Sequence, residues 1–257
     1  MIAPLKPPAS VWFRTFVHRP AAELRLVCFP HAGGTAAGFR GWGEQLPPSI
    51  EVVAVQYPGR QDRFGEPPAP DMATLADEIT RSLLPLLDRP VAFFGHSMGG
   101  TVAYEVARRL PRELRPALVR LFASARRGPA ECRPLEPRYR GEEGLVTYVR
   151  ELGGMGAALL DDPDLREIVI PPLLGDFHIV DTYRHVPGRP LSCPVTAVVG
   201  SHDPSNTRAE GEQWAQYTTA DFEVRELPGG HFYTETATAE LMALLTEKLA
   251  PAQALRS

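Results

Sequence analysis

Val91-Ala92-Phe93-Phe94-Gly95-His96-Ser97-Met98-Gly99-Gly100 decides how this chain reads. The first four residues form a short, wholly apolar run, the pattern of a strand buried on both faces. After Gly100, Thr101–Leu110 has a helical pattern. Between them lies Gly-x-Ser-x-Gly, a motif expected by chance roughly 0.07 times in a chain of this glycine and serine content. Strand, glycine-flanked serine and helix in that order predict a nucleophile elbow. In such an elbow a strained turn presents the serine hydroxyl at the carboxyl edge of a parallel sheet. Ser97 is therefore the candidate nucleophile.

Working outward, Leu24–Phe29, Val52–Tyr57, Leu118–Ala123 and Val195–Val199 repeat the buried-strand pattern. Phe222–Leu227 reads as a last strand and Val11–Val17 as an extra edge strand. Helical patterns separate them. Met72, Leu75, Ile79 and Leu83 recur at three- and four-residue steps after Asp71, and Arg208–Ala215 and Thr236–Leu249 follow the later strands. This alternation predicts an α/β fold of the α/β-hydrolase type, with a mostly parallel, doubly wound sheet.

Between Arg126 and Pro190 no strand pattern appears. Gly141–Leu152 reads as helix, and Asp162-Pro163 supplies an N-cap and first-turn proline for another. The stretch is too long for a simple crossover. It reads as a helical lid over residues 126–190, inserted into a hydrolase core formed by residues 1–125 and 191–257. Two ordinary helices with long loops are the plainer alternative.

A serine alcohol needs a base, and the base needs an orienting acid. In this fold the chain order is serine, acid, histidine. His18, His31 and His96 precede Ser97, His178 and His185 fall in the helical stretch, and His202 adjoins the acid candidate. His231 remains, in the glycine-rich loop Pro228-Gly229-Gly230-His231-Phe232 after the last strand. Asp203 ends the run from Val195 and is the candidate acid; Asp176 and Asp181 sit in the helical stretch and are worse placed. An oxyanion hole would take one backbone N–H from Met98, after the nucleophile. The second would come from Ala32 in Pro30-His31-Ala32-Gly33-Gly34, after the first buried strand.

Composition narrows the rest. The 257 residues are 44% hydrophobic and 23% charged, ordinary for a globular chain. A net charge of −4 gives no field for nucleic acid or an anionic membrane. Three scattered cysteines, Cys28, Cys132 and Cys193, form neither a disulfide framework nor a zinc motif, and a reducing cytoplasm fits. The start, Met1 to Pro8, lacks the apolar core of a signal peptide, and no run is long enough to span a bilayer. A monomer is the default expectation.

Three further features stay open. Arg126, Arg127, Arg133, Arg138 and Arg140 cluster at the lid entrance, as a docking surface or as an ordinary solvated face. Tyr57-Pro58-Gly59-Arg60-Gln61-Asp62-Arg63 either lines the site or braces a loop through an Arg–Asp pair. Met98, Met155, Leu159, Leu160, Leu173 and Leu174 form an acyl pocket or plain packing.

The joint pattern resembles the type II thioesterases, stand-alone partners of polyketide and non-ribosomal peptide synthases. The matching pieces are Phe29–Gly34, Tyr57-Pro58-Gly59-Arg60, Gly95–Gly100, Gly200-Ser201-His202-Asp203 and Pro228–Phe232, in order across most of the chain. The resemblance implies a Ser97, Asp203, His231 triad, with Met98 and Ala32 as oxyanion donors. It also implies a helical lid and hydrolysis of acyl thioesters on acyl or peptidyl carrier proteins. No metal or redox cofactor is implied, since the phosphopantetheine arrives with the substrate. His202 departs from the polar residue that many relatives carry there. A carboxylesterase or lipase would use the same three residues. A catalytically silent binding module is a third reading, against which the intact set of three argues.

Overall fold

Seven strands build one sheet in the computed structural model, which describes residues 10–254. They are β1 (Phe13–Arg14), β2 (Leu24–Phe29), β3 (Ile50–Val55), β4 (Val91–His96), β5 (Leu118–Ser124), β6 (Val195–Gly200) and β7 (Phe222–Leu227). Their order across the sheet is β1-β3-β2-β4-β5-β6-β7. All neighbouring pairs are parallel except β1 with β3. The chain is thus an α/β protein of the α/β-hydrolase type. The proline-rich start, residues 1–9, lies outside the described residues.

The sheet is buried on both faces because helices cover both. Val27, Phe29, Phe93 and Ala123 point toward Val102, Val106, Leu75 and Ile79. Leu26, Cys28, Phe94 and Phe122 point the other way, toward Trp42, Tyr233, Leu241 and Leu245. Alternate residues of one strand therefore feed two separate cores, and β3 and β4 are buried at every position. The covering helices include α1 (Trp42–Gln45), α2 (Met72–Leu83) and α3 (Met98–Arg109). Later in the chain come α4 (Gly141–Leu152), α5 (Pro163–Thr182), α6 (Arg208–Glu212), α7 (Tyr233–Thr236) and α8 (Thr238–Ala254). Asp71 caps α2, its carboxylate accepting from Thr74 N–H at 2.7 Å, and Asp162 caps α5.

Between β5 and β6 the chain carries no strand among the described residues. Helices α4 and α5 pack their own small core of Leu145, Val146, Leu160, Ile170 and Leu173. Helix α5 runs through Pro171 and Pro172, each of which removes one backbone donor. Pro172, Leu173 and Gly175 rest on the loops that follow β2 and β3. A Cβ on Gly33 would lie 2.7 Å from Leu173 Cδ1, and one on Gly175 would overlap the Pro68 ring.

Candidate active site

Ser97 sits where β4 turns into α3, with φ 54° and ψ −119°, a conformation that L-residues seldom adopt. The turn survives because its flanking residues have no side chains. A Cβ on Gly95 would overlap the Gly99 carbonyl, and one on Gly99 the Phe29 carbonyl. Ser97 N–H donates to Ser124 O at 2.8 Å, tying the elbow to β5. Helix α3 begins at Met98, so its positive dipole end faces the serine, and Gly100 N–H closes the turn by donating to Ser97 O at 2.9 Å.

His231 and Asp203 meet from the loops after β7 and β6. The imidazole Nδ1–H donates to Asp203 Oδ2 at 2.8 Å, and both residues are buried, at 4% and 5% exposure. Ser205, which the sequence reading passed over, completes the acid's environment. Its backbone N–H and its hydroxyl both donate to Asp203 Oδ1, at 2.8 and 2.7 Å, and its Oγ lies 3.1 Å from His231 Nδ1. Burial alone would raise the Asp203 carboxyl. The hydrogen bond from His231 and its charge, with the Ser205 bonds, outweigh burial and hold it below its usual value. An ionised Asp203 accepts the hydrogen bond from Nδ1–H and keeps the proton on Nδ1, which leaves Nε2 with a lone pair. That Nε2 is buried without a hydrogen-bond partner, so no bond joins it to Ser97 in this state.

Ser97 and His231 line one cavity of about 600 Å³, together with Ala32 and Met98. The hydrogen bonds of the described residues leave the backbone N–H of Ala32 and of Met98 without a protein acceptor. All five sequence-derived site residues are thus brought to one place, with Asp203 behind His231 rather than in the cavity wall. His202 turns away from Asp203; its Nδ1 lies 2.8 Å from Ser201 Oγ.

The apolar lining differs from the sequence expectation. Met98 is in the wall, but the large aliphatic and phenyl side chains beside it are Leu135, Leu152, Phe177 and Val180. Leu160 and Leu173 belong to the core of the helical segment, and Leu174 is 38% exposed. The side chains of Met155 and Leu159 lie outside the described ones. Helical periodicity identified an apolar face but not which of its residues turn toward Ser97.

The Tyr57–Arg63 stretch braces, though with an acid that the sequence reading set aside. Arg60 forks onto Asp176 of α5, at 2.6 and 2.8 Å, while Asp62 pairs with Arg14 and Arg63 with Glu66. Asp181 accepts from Leu135 N–H at 2.6 Å.

A buried polar chain under the elbow was also missed. His96 Nδ1 lies 2.8 Å from Ser124 Oγ, which contacts the Tyr233 hydroxyl, and that hydroxyl donates to Val198 O at 3.3 Å. The ring of His96 lies 5.4 Å from that of His231, and His31 lies 5.9 Å from His96. Burial, then the charge of His231, pushes His96 well below its ordinary value and His31 down to about 4. Both neighbours of His231 therefore stay neutral at pH 7. These histidines also set a pH dependence. Below about pH 6.5 the unfolded chain binds protons that the folded chain refuses, so stability falls from there toward pH 4. The loss is expected to reach at most about 1.4 kcal/mol per pH unit for each histidine. Urea midpoints at pH 7, 6 and 5 check this, and His31→Gln is expected to flatten the slope.

Residues 24–249 match the family model described as the thioesterase domain. The chain is 43% identical over 240 residues to the probable cadicidin biosynthesis thioesterase of Streptomyces griseus, covering 93% of this chain and 65% of that protein. It is 36% identical to Thioesterase PikA5 of Streptomyces venezuelae, covering 96% of this chain and 88% of that one. Among curated relatives with high identity, it spans 65% of the length of one and only 12% of another. Among solved structures, the type II thioesterase BorB from the borrelidin biosynthetic cluster superposes with a TM-score of 0.84 at 36% identity. That match covers 93% of this chain and 98% of BorB. The chain belongs to the thioesterase family, with the α/β-hydrolase fold, and its similarity to the type II thioesterases runs through nearly its whole length.

Proposed function

We propose that the chain hydrolyses acyl thioesters held on the phosphopantetheine arm of acyl or peptidyl carrier proteins, releasing stalled or aberrant acyl groups from a polyketide or non-ribosomal peptide synthase. The observation that carries this reading is the Asp203–His231 pair, whose free Nε2 shares one cavity with Ser97 and the unpaired N–H groups of Ala32 and Met98, in a chain of the thioesterase family. His231 Nε2 takes the proton of Ser97 as Oγ attacks the thioester carbonyl, and the carbonyl oxygen gains the electron pair. The N–H groups of Ala32 and Met98 hold that oxyanion. The C–S bond breaks as the intermediate collapses. Because a thiol has a pKa of ~8.5, it leaves with little acid assistance, and the departing sulfur takes the proton that His231 holds, which restores the neutral imidazole. Water, deprotonated by His231, then attacks the acyl-enzyme; Ser97 leaves with the proton and the free acid departs. This sequence calls for no metal or redox cofactor.

On this reading α4 and α5 act as a lid over the cavity, and the protein works as a cytoplasmic monomer. Arg126, Arg127, Arg133 and Arg138 line the cavity and Arg140 follows them in the same stretch, and such a cluster suits an anionic partner. Arg127 pairs with Glu210 and Arg138 with Glu136, whereas Arg126, Arg133 and Arg140 have no carboxylate partner among the described residues. Unneutralised rim charges steer an acidic carrier. Replacing Arg133 and Arg140 together with glutamate is expected to raise KM for carrier-bound substrate by about 10-fold at low salt. A short thioester mimic should be unaffected.

The test of the function compares kcat/KM for one acyl group on a carrier protein, on a short thioester mimic and in an oxygen ester. The carrier-bound thioester is expected to lead. An oxygen ester that led instead would make the chain an esterase and overturn the thioesterase reading.

A further inference from the structure

Asp176 lies on α5, in the helical segment, yet its carboxylate reaches the loop that carries Ala32. Oδ2 accepts from Gly33 N–H at 2.7 Å and from Arg60 Nη1 at 2.6 Å, while Oδ1 accepts from Arg60 Nη2 at 2.8 Å. Asp176 is 3% exposed and Arg60 4%. Arg60 also donates through Nε to the Pro58 carbonyl and through Nη1 to the Gly34 carbonyl, both at 3.2 Å. The Tyr57 hydroxyl donates to Pro30 O at 3.2 Å, and Gly34 N–H donates to His31 O at 2.9 Å. The loop is thus held at Pro30, His31, Gly33 and Gly34, and the N–H of Ala32 is left free between these anchors.

We propose that Asp176 is a positioning residue for the oxyanion hole, and that docking of α5 is what aims the Ala32 N–H at the reacting carbonyl. Peptide units are planar, so the Ala32 N–H is oriented by the His31 carbonyl in its own plane, which accepts from Gly34 N–H, and by the next plane, which Asp176 fixes at Gly33 N while Arg60 holds the Gly34 carbonyl. Gly33 has φ +76° and sits under Leu173 of the same helix, so α5 controls this plane by both hydrogen bond and packing. Lifting α5 would withdraw one carboxylate from two partners at once. A buried guanidinium would lose its counter-ion and Gly33 its acceptor. The oxyanion loop is therefore held in its shape only while the helix is docked on it. The hole is complete when α5 is down over the substrate and incomplete when it is lifted to admit one, which couples closure of the cavity to catalytic competence.

This inference uses the acyl-enzyme chemistry of the proposed function but applies to any acyl transfer at Ser97. The test uses the full chain, Asp176→Asn, and the double variant Arg60→Met/Asp176→Leu. Each is assayed on a short acyl thioester and on a p-nitrophenyl ester. A trifluoromethyl ketone serves as the oxyanion probe: Ser97 Oγ adds to its carbonyl carbon, the proton passes to His231, and the carbonyl oxygen becomes the alkoxide held in the hole. Asp176→Asn is expected to lower kcat on both substrates by about 100-fold, the scale of a lost oxyanion donor. KM should stay within about three-fold, and the ketone's inhibition constant should rise in parallel with the fall in kcat. The double variant removes both buried charges, so its melting temperature is expected to recover. Its kcat should stay low, because Gly33 N–H still lacks its acceptor. A folded double variant with parental kcat and parental ketone affinity would make Asp176 a purely structural clamp and overturn the proposal. A low kcat with unchanged ketone affinity would overturn it as well. If the parent cleaved only the oxygen ester, the thioesterase reading would fail while the p-nitrophenyl series still decided the role of Asp176.

Discussion

Ser97→Ala is expected to lower kcat on an acyl thioester by about 10⁴- to 10⁶-fold and to abolish acyl-enzyme formation. The argument rests on position and chemistry together. The elbow holds Ser97 in a strained conformation, at the dipole end of α3 and in the same cavity as the unpartnered Nε2 of His231. Alanine keeps the backbone, since its Cβ meets nothing that serine's did not, but removes the only atom that attacks. Any residual rate would come from a water molecule acting with the oxyanion donors alone. The melting temperature should barely move, because the Ser97 hydroxyl makes no hydrogen bond among the described residues. Intact-protein mass spectrometry after mixing with a slow substrate reads the second half of the expectation: the parent gains the mass of one acyl group and the variant gains none. Undiminished hydrolysis by the variant would remove Ser97 from the chemistry, and with it the whole assignment.

Asp203→Asn is expected to cost about 10⁴-fold in kcat while leaving the fold intact. Asp203 does not touch the substrate cavity. Its Oδ2 accepts the Nδ1 proton of His231, and Ser205 fixes its other oxygen with two donors. A carboxamide is nearly the same shape, but it can turn its NH₂ toward Nδ1. His231 would then carry its proton on Nε2, facing Ser97, where a lone pair is required. The loss should therefore fall on kcat, with KM little changed. Asp203→Ala gives the complementary outcome, since it removes the orienting group without imposing the wrong tautomer. Equal activity of Asp203→Asn and the parent would show that His231 is oriented by Ser205 alone.

Much of the site was legible in the sequence because each part had a local signature in chain order. Ser97 is framed by glycines that only a close crossing of strand and helix requires. Asp203 follows a buried strand, and His231 lies in the one glycine-rich loop after the last strand. Other residues had no such signature. Ser205 looks like a turn residue after Asp203-Pro204, and its two bonds to Asp203 emerge only from the folded loop. Some element ends also shifted. Helix α3 begins at Met98 although Gly99 and Gly100 are poor helix formers, because the close crossing excludes larger side chains. The expected strand Val52–Tyr57 runs instead from Ile50 to Val55, since Gln56 and Tyr57 turn toward the loop after β2. The expected edge strand Val11–Val17 pairs at only two positions, Phe13 and Arg14.

The sequence by itself determined the sheet, the elbow and the order of serine, acid and histidine. Each of these depends on residues close together in the chain, through buried runs, glycine placement and helix caps. Only the tertiary structure decided which acid serves which partner. Asp203 and Asp176 are both aspartates in a helical or post-strand context. One pairs with a histidine 28 residues away, the other with an arginine 116 residues away. The first pairing follows from β6 lying beside β7, which brings their loops together, and the second from α5 packing across the loops after β2 and β3. No local pattern of side chains encodes them, because the cost of burying a carboxylate is met only where the folded chain brings donors to it.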